Sequence, residues 1–164
     1  MMSEKVNSLF QDSGGKILTF MLGGQEYGLP IIEAREVIGL MATESIPQTP
    51  EFMLGVINLR GQIIPVVDLR IKFGFAHAIE DNENCILVTK IKDRQTGCVI
   101  DSLVGVSTVE PDQFEAGLDL GSNIHTEYIT GIVKQGKRVI ILVNMEEIFK
   151  NEELEVIEAA QLAG

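Results

Sequence analysis

Residues 49–73 read TPEFMLGVINLRGQIIPVVDLRIKF, and residues 125–149 read HTEYITGIVKQGKRVIILVNMEEIF. Laid over one another at a constant shift of 76, without a gap, the two stretches share five identities in twenty-five positions. Glu51 meets Glu127, Gly55 meets Gly131, Ile64 meets Ile140, Val67 meets Val143 and Phe73 meets Phe149. Conservative pairs lie between them: Phe52 with Tyr128, Val56 with Ile132, Asp68 with Asn144 and Leu69 with Met145. Both copies run in the same order of helix cap, glycine, strand, turn, strand, cap and short helix. Upstream the match continues at a changed offset, Gly28 to Val37 resembling Gly97 to Val106. Self-similarity at a fixed spacing marks a repeated structural unit. It predicts two similar lobes, approximately 16–73 and 84–149, whose terminal strands are free to exchange. A polar linker follows at Gly74 to Glu83.

Within each lobe, short alternating or β-branched runs are punctuated by turn residues. Lys16 to Leu22 and Glu26 to Pro30 flank Gly23-Gly24, a hairpin signal. Gly55 to Leu59 and Gln62 to Val67 flank Arg60-Gly61, where Gly61 supplies a positive φ. Asn84 to Ile91 and Thr96 to Ile100 flank the polar stretch Lys92-Asp93-Arg94-Gln95, and Ile129 to Val133 and Lys137 to Val143 flank Gln135-Gly136. The expected class is mainly β, as barrels or sandwiches, with about five strands per lobe. Barrels of that size are filled by their own side chains and leave no large ligand cavity. Pro65 inside a strand points to an edge or a bulge.

Helical signals are brief. Thr49-Pro50-Glu51 offers a cap, a first-turn proline and an acid, and Asp68 caps a short turn toward Phe73. Asn144 with Glu147 resembles a capping box. In residues 151–164, Leu154, Ile157 and Ala160 share one face between acids, which predicts a C-terminal acidic helix packing on the body.

Of 164 residues, 45% are apolar and 5% aromatic, with no Trp, so the core is mostly Ile, Val and Leu. The net charge of −11 opposes nucleic acid, which needs a basic footprint, and anionic membrane surfaces. It favours solubility or a basic partner. The N-terminus has no apolar signal region, and no apolar run approaches the length of a membrane span. These features predict a cytoplasmic protein without membrane insertion. Cys85 and Cys98 sit in apolar β-like runs and read as buried reduced thiols. His77 and His125 have no ligand partner at metal spacing, and no phosphate loop is present, so neither metal nor cofactor is expected. No catalytic residue is assigned, because local context suggests no nucleophile–base arrangement. Asp68 invites an acid–base reading. Asn144 at its repeat position favours a cap instead, since an amide can cap but cannot act as a general acid.

The stretch Asn58-Leu59-Arg60-Gly61-Gln62-Ile63-Ile64-Pro65-Val66-Val67-Asp68-Leu69-Arg70 resembles the central motif of the CheW-like domain family. Thr49 to Phe52, Gly55-Val56, Phe20, Tyr27-Gly28-Leu29, the helix-like Glu33-Ala34-Arg35-Glu36-Val37, Gly97, Val106 and Gly131 are also similar to it. The likeness covers residues 16–150. It implies two SH3-like five-stranded β-barrel subdomains with short helices. It implies a non-catalytic adaptor that binds the regulatory domain of the histidine kinase CheA and the cytoplasmic hairpin tip of methyl-accepting chemoreceptors. Barrel-to-barrel contacts with the kinase then build rings beneath the membrane receptor array, to which the adaptor is recruited.

The resemblance places receptor binding at Ala34, Glu36, Val37 and Arg60. From the residues alone, Arg60 is a solvated turn residue or an exposed fork for a partner's carboxylate or carbonyls. Glu36 is a solvated acid or a rim charge, and Ala34 and Val37 are core or apolar contacts beside it. The kinase-facing residues are not assigned. Ile57 and Val106 remain open between core and interface. Two further readings stand beside the chemotaxis adaptor: a module of the same fold serving a kinase that controls pili, development or gene expression, and a small-ligand-binding barrel. The last requires a concave pocket with convergent polar groups, and the sequence offers no such constellation.

Overall fold

The computed structural model describes residues 8–75, 82–116 and 128–163. The first copy of the repeat forms strands β1 (Lys16–Leu22), β2 (Gln25–Pro30), β3 (Ala34–Gly39), β4 (Met53–Leu59) and β5 (Gln62–Asp68), then helix α1 (Leu69–Lys72). The second forms β6 (Cys85–Ile91), β7 (Arg94–Ile100), β8 (Ser102–Thr108), the short β9 (Phe114–Ala116), β10 (Ile129–Gln135) and β11 (Arg138–Val143), then α2 (Met145–Ile148). A terminal helix α3 (Asn151–Ala163) follows, where the acid-flanked apolar face predicted one. The protein is mainly β, as expected.

The strands make two sheets, ordered β8-β1-β2-β11-β10-β9 and β3-β6-β7-β5-β4. Two compact units result, and neither is a continuous half of the chain. One is drawn from residues 8–34 and 104–148, the other from 35–103 and 149–163. Each unit takes its first hairpin from one copy of the repeat and its later strands from the other, so the spans 16–73 and 84–149 do not outline the compact units. The join is a parallel pairing of the same kind in both. Gly28 lies opposite Leu142 where β2 meets β11, and Gly97 lies opposite Val66 where β7 meets β5. Leu142 and Val66 are repeat equivalents, so the two units share one register.

The first unit's core gathers Leu9, Ile17, Val109, Val133, Ile140 and Leu142, with Phe10 and Phe114 packed against it. Leu9 comes from a π-helical turn, Ser8–Asp12, ahead of β1. Ile57, Leu59, Ile64, Val66, Ile86, Val88 and Val99 form a core in the second unit. Ile57, 3% exposed, is therefore core, whereas Val106 on β8 is 57% exposed.

Several local expectations change. Thr49-Pro50-Glu51 starts a turn, with Met53 N–H donating to the Pro50 carbonyl at 2.9 Å, and no helix follows because β4 begins at Met53. The helix-like run Glu33 to Val37 is a 3-10 turn over Ile31–Glu33 followed by β3, as β-branched Val37 and Ile38 favour. The turn after β6 has two residues, Lys92 and Asp93, not four; both hold positive φ, 52° and 63°. Pro65 is not on an edge, since β5 lies between β7 and β4. The ladder with β7 runs from Val66, one residue beyond Pro65. His77, His125 and most of the expected linker lie outside the described residues.

Candidate functional site

Strands β4 and β5 pair antiparallel from Met53↔Val67 to Leu59↔Gln62, leaving Arg60-Gly61 as a two-residue loop. Both loop residues have positive φ, 53° for Arg60 and 86° for Gly61. That combination matches the right-handed twist of the flanking strands, but it places a non-glycine residue in the left-handed region. Asn58 Oδ1 accepts from the Gly61 N–H at 2.8 Å and pins the turn. The geometry aims a long cation out of the sheet end: the Arg60 side chain is 68% exposed.

Its guanidinium does not point into empty solvent. Arg60 Nη2 donates to Glu36 Oε1, joining the β4–β5 turn to β3. The hydrogen bond to Glu36, with its charge, pushes the Arg60 pKa above its ordinary value. The structure thus brings together two residues 24 positions apart that the sequence had singled out separately. Ile38 packs against the core. Strand alternation then puts Val37 on the opposite face of β3, half-buried. Ala34, also half-buried, opens the strand.

Comparison of the repeat copies isolates this pair. At the two offsets of the internal alignment, Gly136 stands for Arg60 and Gly105 for Glu36. The other unit forms its equivalent hairpin, β10–β11, with no side chain at either place. The ion pair is therefore not required to build the sheet, and exposed pairs of this kind add little stability.

A second charged group, unforeseen from the sequence, is buried. Arg70 is 3% and Asp68 2% exposed. Arg70 Nε and Nη2 donate to Asp68 Oδ1 and Oδ2 at 3.0 and 2.9 Å, and Nη1 donates to Asn84 Oδ1 at 3.1 Å. Asn84 Nδ2 donates to the Asp101 carbonyl at 2.9 Å. The network ties the end of β5 to the entrance of β6 and the exit of β7. Its fork geometry satisfies a buried guanidinium in the way such burial demands. Only the two-residue spacing of Asp68 and Arg70 hinted at it. Asp68 is the cap expected, accepting from the Arg70 N–H at 2.9 Å.

Among the described residues no three His, Cys, Asp or Glu side chains are grouped to hold a metal ion. Nor is any described helix long and apolar enough to cross a membrane. Burial raises the pKa of both thiols, most strongly for Cys98 inside β7.

A family model described as CheW-like domain matches residues 16–153. The chain belongs to the CheW-like domain family. Relatives named Chemotaxis protein CheW include one from Klebsiella aerogenes, 34% identical over 145 residues, covering 88% of this chain and 87% of that protein. Another, from Thermotoga maritima, is 32% identical, with 82% and 87% covered. In three dimensions the chain is similar to the scaffolding protein TtCheW from Thermoanaerobacter tengcongensis, with a TM-score of 0.77 at 32% identity. That match covers 85% of this chain and 94% of the other. The CheW-like sequence motif singled out above, Asn58 to Arg70, thus holds the β4–β5 turn, strand β5 and the buried Asp68–Arg70 fork. Arg60, one of its exposed members, reaches Glu36.

Proposed function

We propose that this CheW-like chain is a non-catalytic adaptor of bacterial chemotaxis that couples the histidine kinase CheA to methyl-accepting chemoreceptors. It works in the cytoplasm and is recruited to receptor arrays. Arg60, Glu36, Val37 and Ala34 meet the receptor tip, and the regulatory domain of CheA docks elsewhere. The observation that carries the receptor assignment is the Arg60–Glu36 pair. One of its members sits in a backbone conformation unfavourable to its side chain, and the sister unit folds with glycine at both positions. Strain kept at an exposed turn with no structural need supports a binding role. Half-buried Ala34, two residues from Glu36 along β3 and so on its face, sets an apolar contact beside the charged pair, which suits the usual layout of an interface.

The test is a three-component assembly of this chain, a cognate CheA and receptor cytoplasmic fragments, read by co-sedimentation and by kinase activity. The adaptor reading expects the chain to recruit the kinase and activate it. It also expects Arg60→Glu to lose receptor binding while keeping kinase binding. A chain that binds neither partner would remove the chemotaxis reading and leave the fold untouched.

A further inference from the structure

Helix α3 is held in a manner unlike the strands. It carries Glu152, Glu153, Glu155 and Glu158 and no cation. Glu152 and Glu155, like Glu155 and Glu158, are three residues apart, share a face and repel. A helix of 13 residues is marginal on its own, so its folding rests on its seat. That seat belongs to the same unit and is basic, on a chain of net charge −11. Lys72 Nζ donates to both oxygens of Glu153, at 2.8 and 2.9 Å, and lies 5.2 Å from the centre of the Phe52 ring. Arg94 Nη2 donates to Glu158 Oε1 at 3.1 Å. Ile157 and Ala160 of the same helix are buried. The fit is incomplete: an open groove of about 380 Å³ runs between Ile91, Lys92 and Arg94 of the seat and Leu154, Glu155, Ile157 and Glu158 of the helix, so its basic wall belongs to the seat and its acidic wall to α3.

We propose that α3 is a displaceable strap, and that the basic, apolar-floored groove it occupies accepts an acidic amphipathic helix of a partner in its place. The resident helix states the chemistry of the occupant: an apolar stripe with carboxylates placed to meet Lys72 and Arg94. As α3 lifts, it takes Glu155 and Glu158 away with it and leaves an entering acidic helix the apolar and basic wall of Ile91, Lys92 and Arg94. Opening is favoured where ionic strength screens the clamps, since the Arg94–Glu158 pair is exposed. This inference stands apart from the receptor assignment, because it uses neither Arg60 nor Glu36.

Two measurements on the full chain test it. In hydrogen exchange, α3 amides should exchange about a hundredfold faster than those of β5 and β7, and faster still in high salt. A labelled peptide of residues 149–164 should bind the full chain weakly and the Glu153→Gln/Glu158→Gln variant about tenfold more tightly, because loosening the strap raises the competent fraction. Arg94→Gln, an exposed change, made in the Glu153→Gln/Glu158→Gln background where the strap no longer uses Arg94, should weaken peptide binding without altering the fold. Exchange of α3 only together with β5 would overturn the strap. Equal affinity for a peptide with its glutamates changed to glutamine would overturn the charge-selected groove, as would no peptide binding to either form.

Discussion

Asp68 and Asn144 occupy the same place in the two copies of the repeat and cap the same turn, but only Asp68 also holds a buried cation. Asp68 Oδ1 accepts from the Arg70 N–H at 2.9 Å, and Asn144 Oδ1 accepts from the Glu146 N–H at 3.1 Å. The preceding hydrogen bonds match as well: Asp68 N–H to the Phe52 carbonyl and Asn144 N–H to the Tyr128 carbonyl, both 2.7 Å. Exchanging acid and amide should therefore act unequally. Asp68→Asn keeps the cap but leaves buried Arg70 with only the Asp101 carboxylate, 3.9 Å away, at a cost of about 3 kcal/mol. Asn144→Asp should change stability by less than about 0.5 kcal/mol, since both residues cap well. Urea unfolding of the two variants checks the contrast.

The Arg60 turn separates folding from binding. Arg60→Gly removes the left-handed strain and an exposed ion pair together, so the unfolding midpoint should stay level or rise. Under the adaptor reading, the same variant should bind receptor fragments at least about tenfold more weakly. Titration of receptor fragments beside thermal unfolding distinguishes this from simple loss of structure. A variant that unfolds early, or keeps full receptor affinity, removes Arg60 from the site.

Gly55 and Gly131 are repeat equivalents, and each sits where the strand register shifts, between Met53 and Gly55 and between Ile129 and Gly131. A Cβ at Gly55 would lie 2.1 Å from the Glu44 carbonyl oxygen, at a φ of 138°. At Gly131 it would lie 2.4 Å from Phe114 Cε2 and 2.8 Å from the Glu115 carbonyl oxygen. Gly55→Ala should be the more damaging, by more than about 3 kcal/mol, because backbone and φ both oppose it. Gly131→Ala should cost less, since the half-buried Phe114 ring can shift. Gly24 faces open space, so Gly24→Ala should lose only the cost of its positive φ.

Acid should loosen each unit through one glutamate. Burial alone would raise the Glu153 pKa, but hydrogen bonds from Lys72 and the Lys150 N–H, with the two positive charges, hold it below the usual 4.5. For Glu26, burial likewise opposes, and the Arg138 hydrogen bond, the Thr19 hydrogen bond and the Arg138 charge prevail. A carboxyl whose folded pKa is depressed binds protons more readily when unfolded. Its contribution is present above pH 4.5 and is lost as pH falls through the lower, folded value. Denaturation from pH 6 to pH 3 should show stability falling at the acid end. Glu153→Gln and Glu26→Gln should each flatten part of that fall.

The hairpins were legible because their information is local. Gly23-Gly24 and Arg60-Gly61 announce turns, and alternation announces the strands on either side. The length of the Lys92-Asp93 turn is not legible, because no glycine marks it: Asp93 tolerates positive φ, Lys92 does not favour it, and the pairing of Ile91 with Arg94 imposes it on both. Strand β3 was obscured by Glu33 to Val37, whose acids and alanine suit a helix until the edge of β6 offers a partner. The four candidate site residues rest on the family resemblance, not on any local pattern. That Glu36 and Arg60 touch was not legible, because 24 residues separate them and β3 and β4 stand at opposite edges of the sheet order, so that only the folded sheet brings the β4–β5 turn to β3.

By itself, the sequence determined the repeat, the mainly β character, the hairpin turns, the terminal helix and the caps at Asp68 and Asn144. All of these follow from spacing, propensity and turn chemistry acting over a few residues. Only the tertiary structure decided which copy's hairpin completes which sheet, where Arg70 is buried and which carboxylate faces Arg60. Those outcomes depend on packing between distant segments: a parallel pairing such as Val66 with Gly97 satisfies backbone groups and closes a core, and no local pattern names its partner.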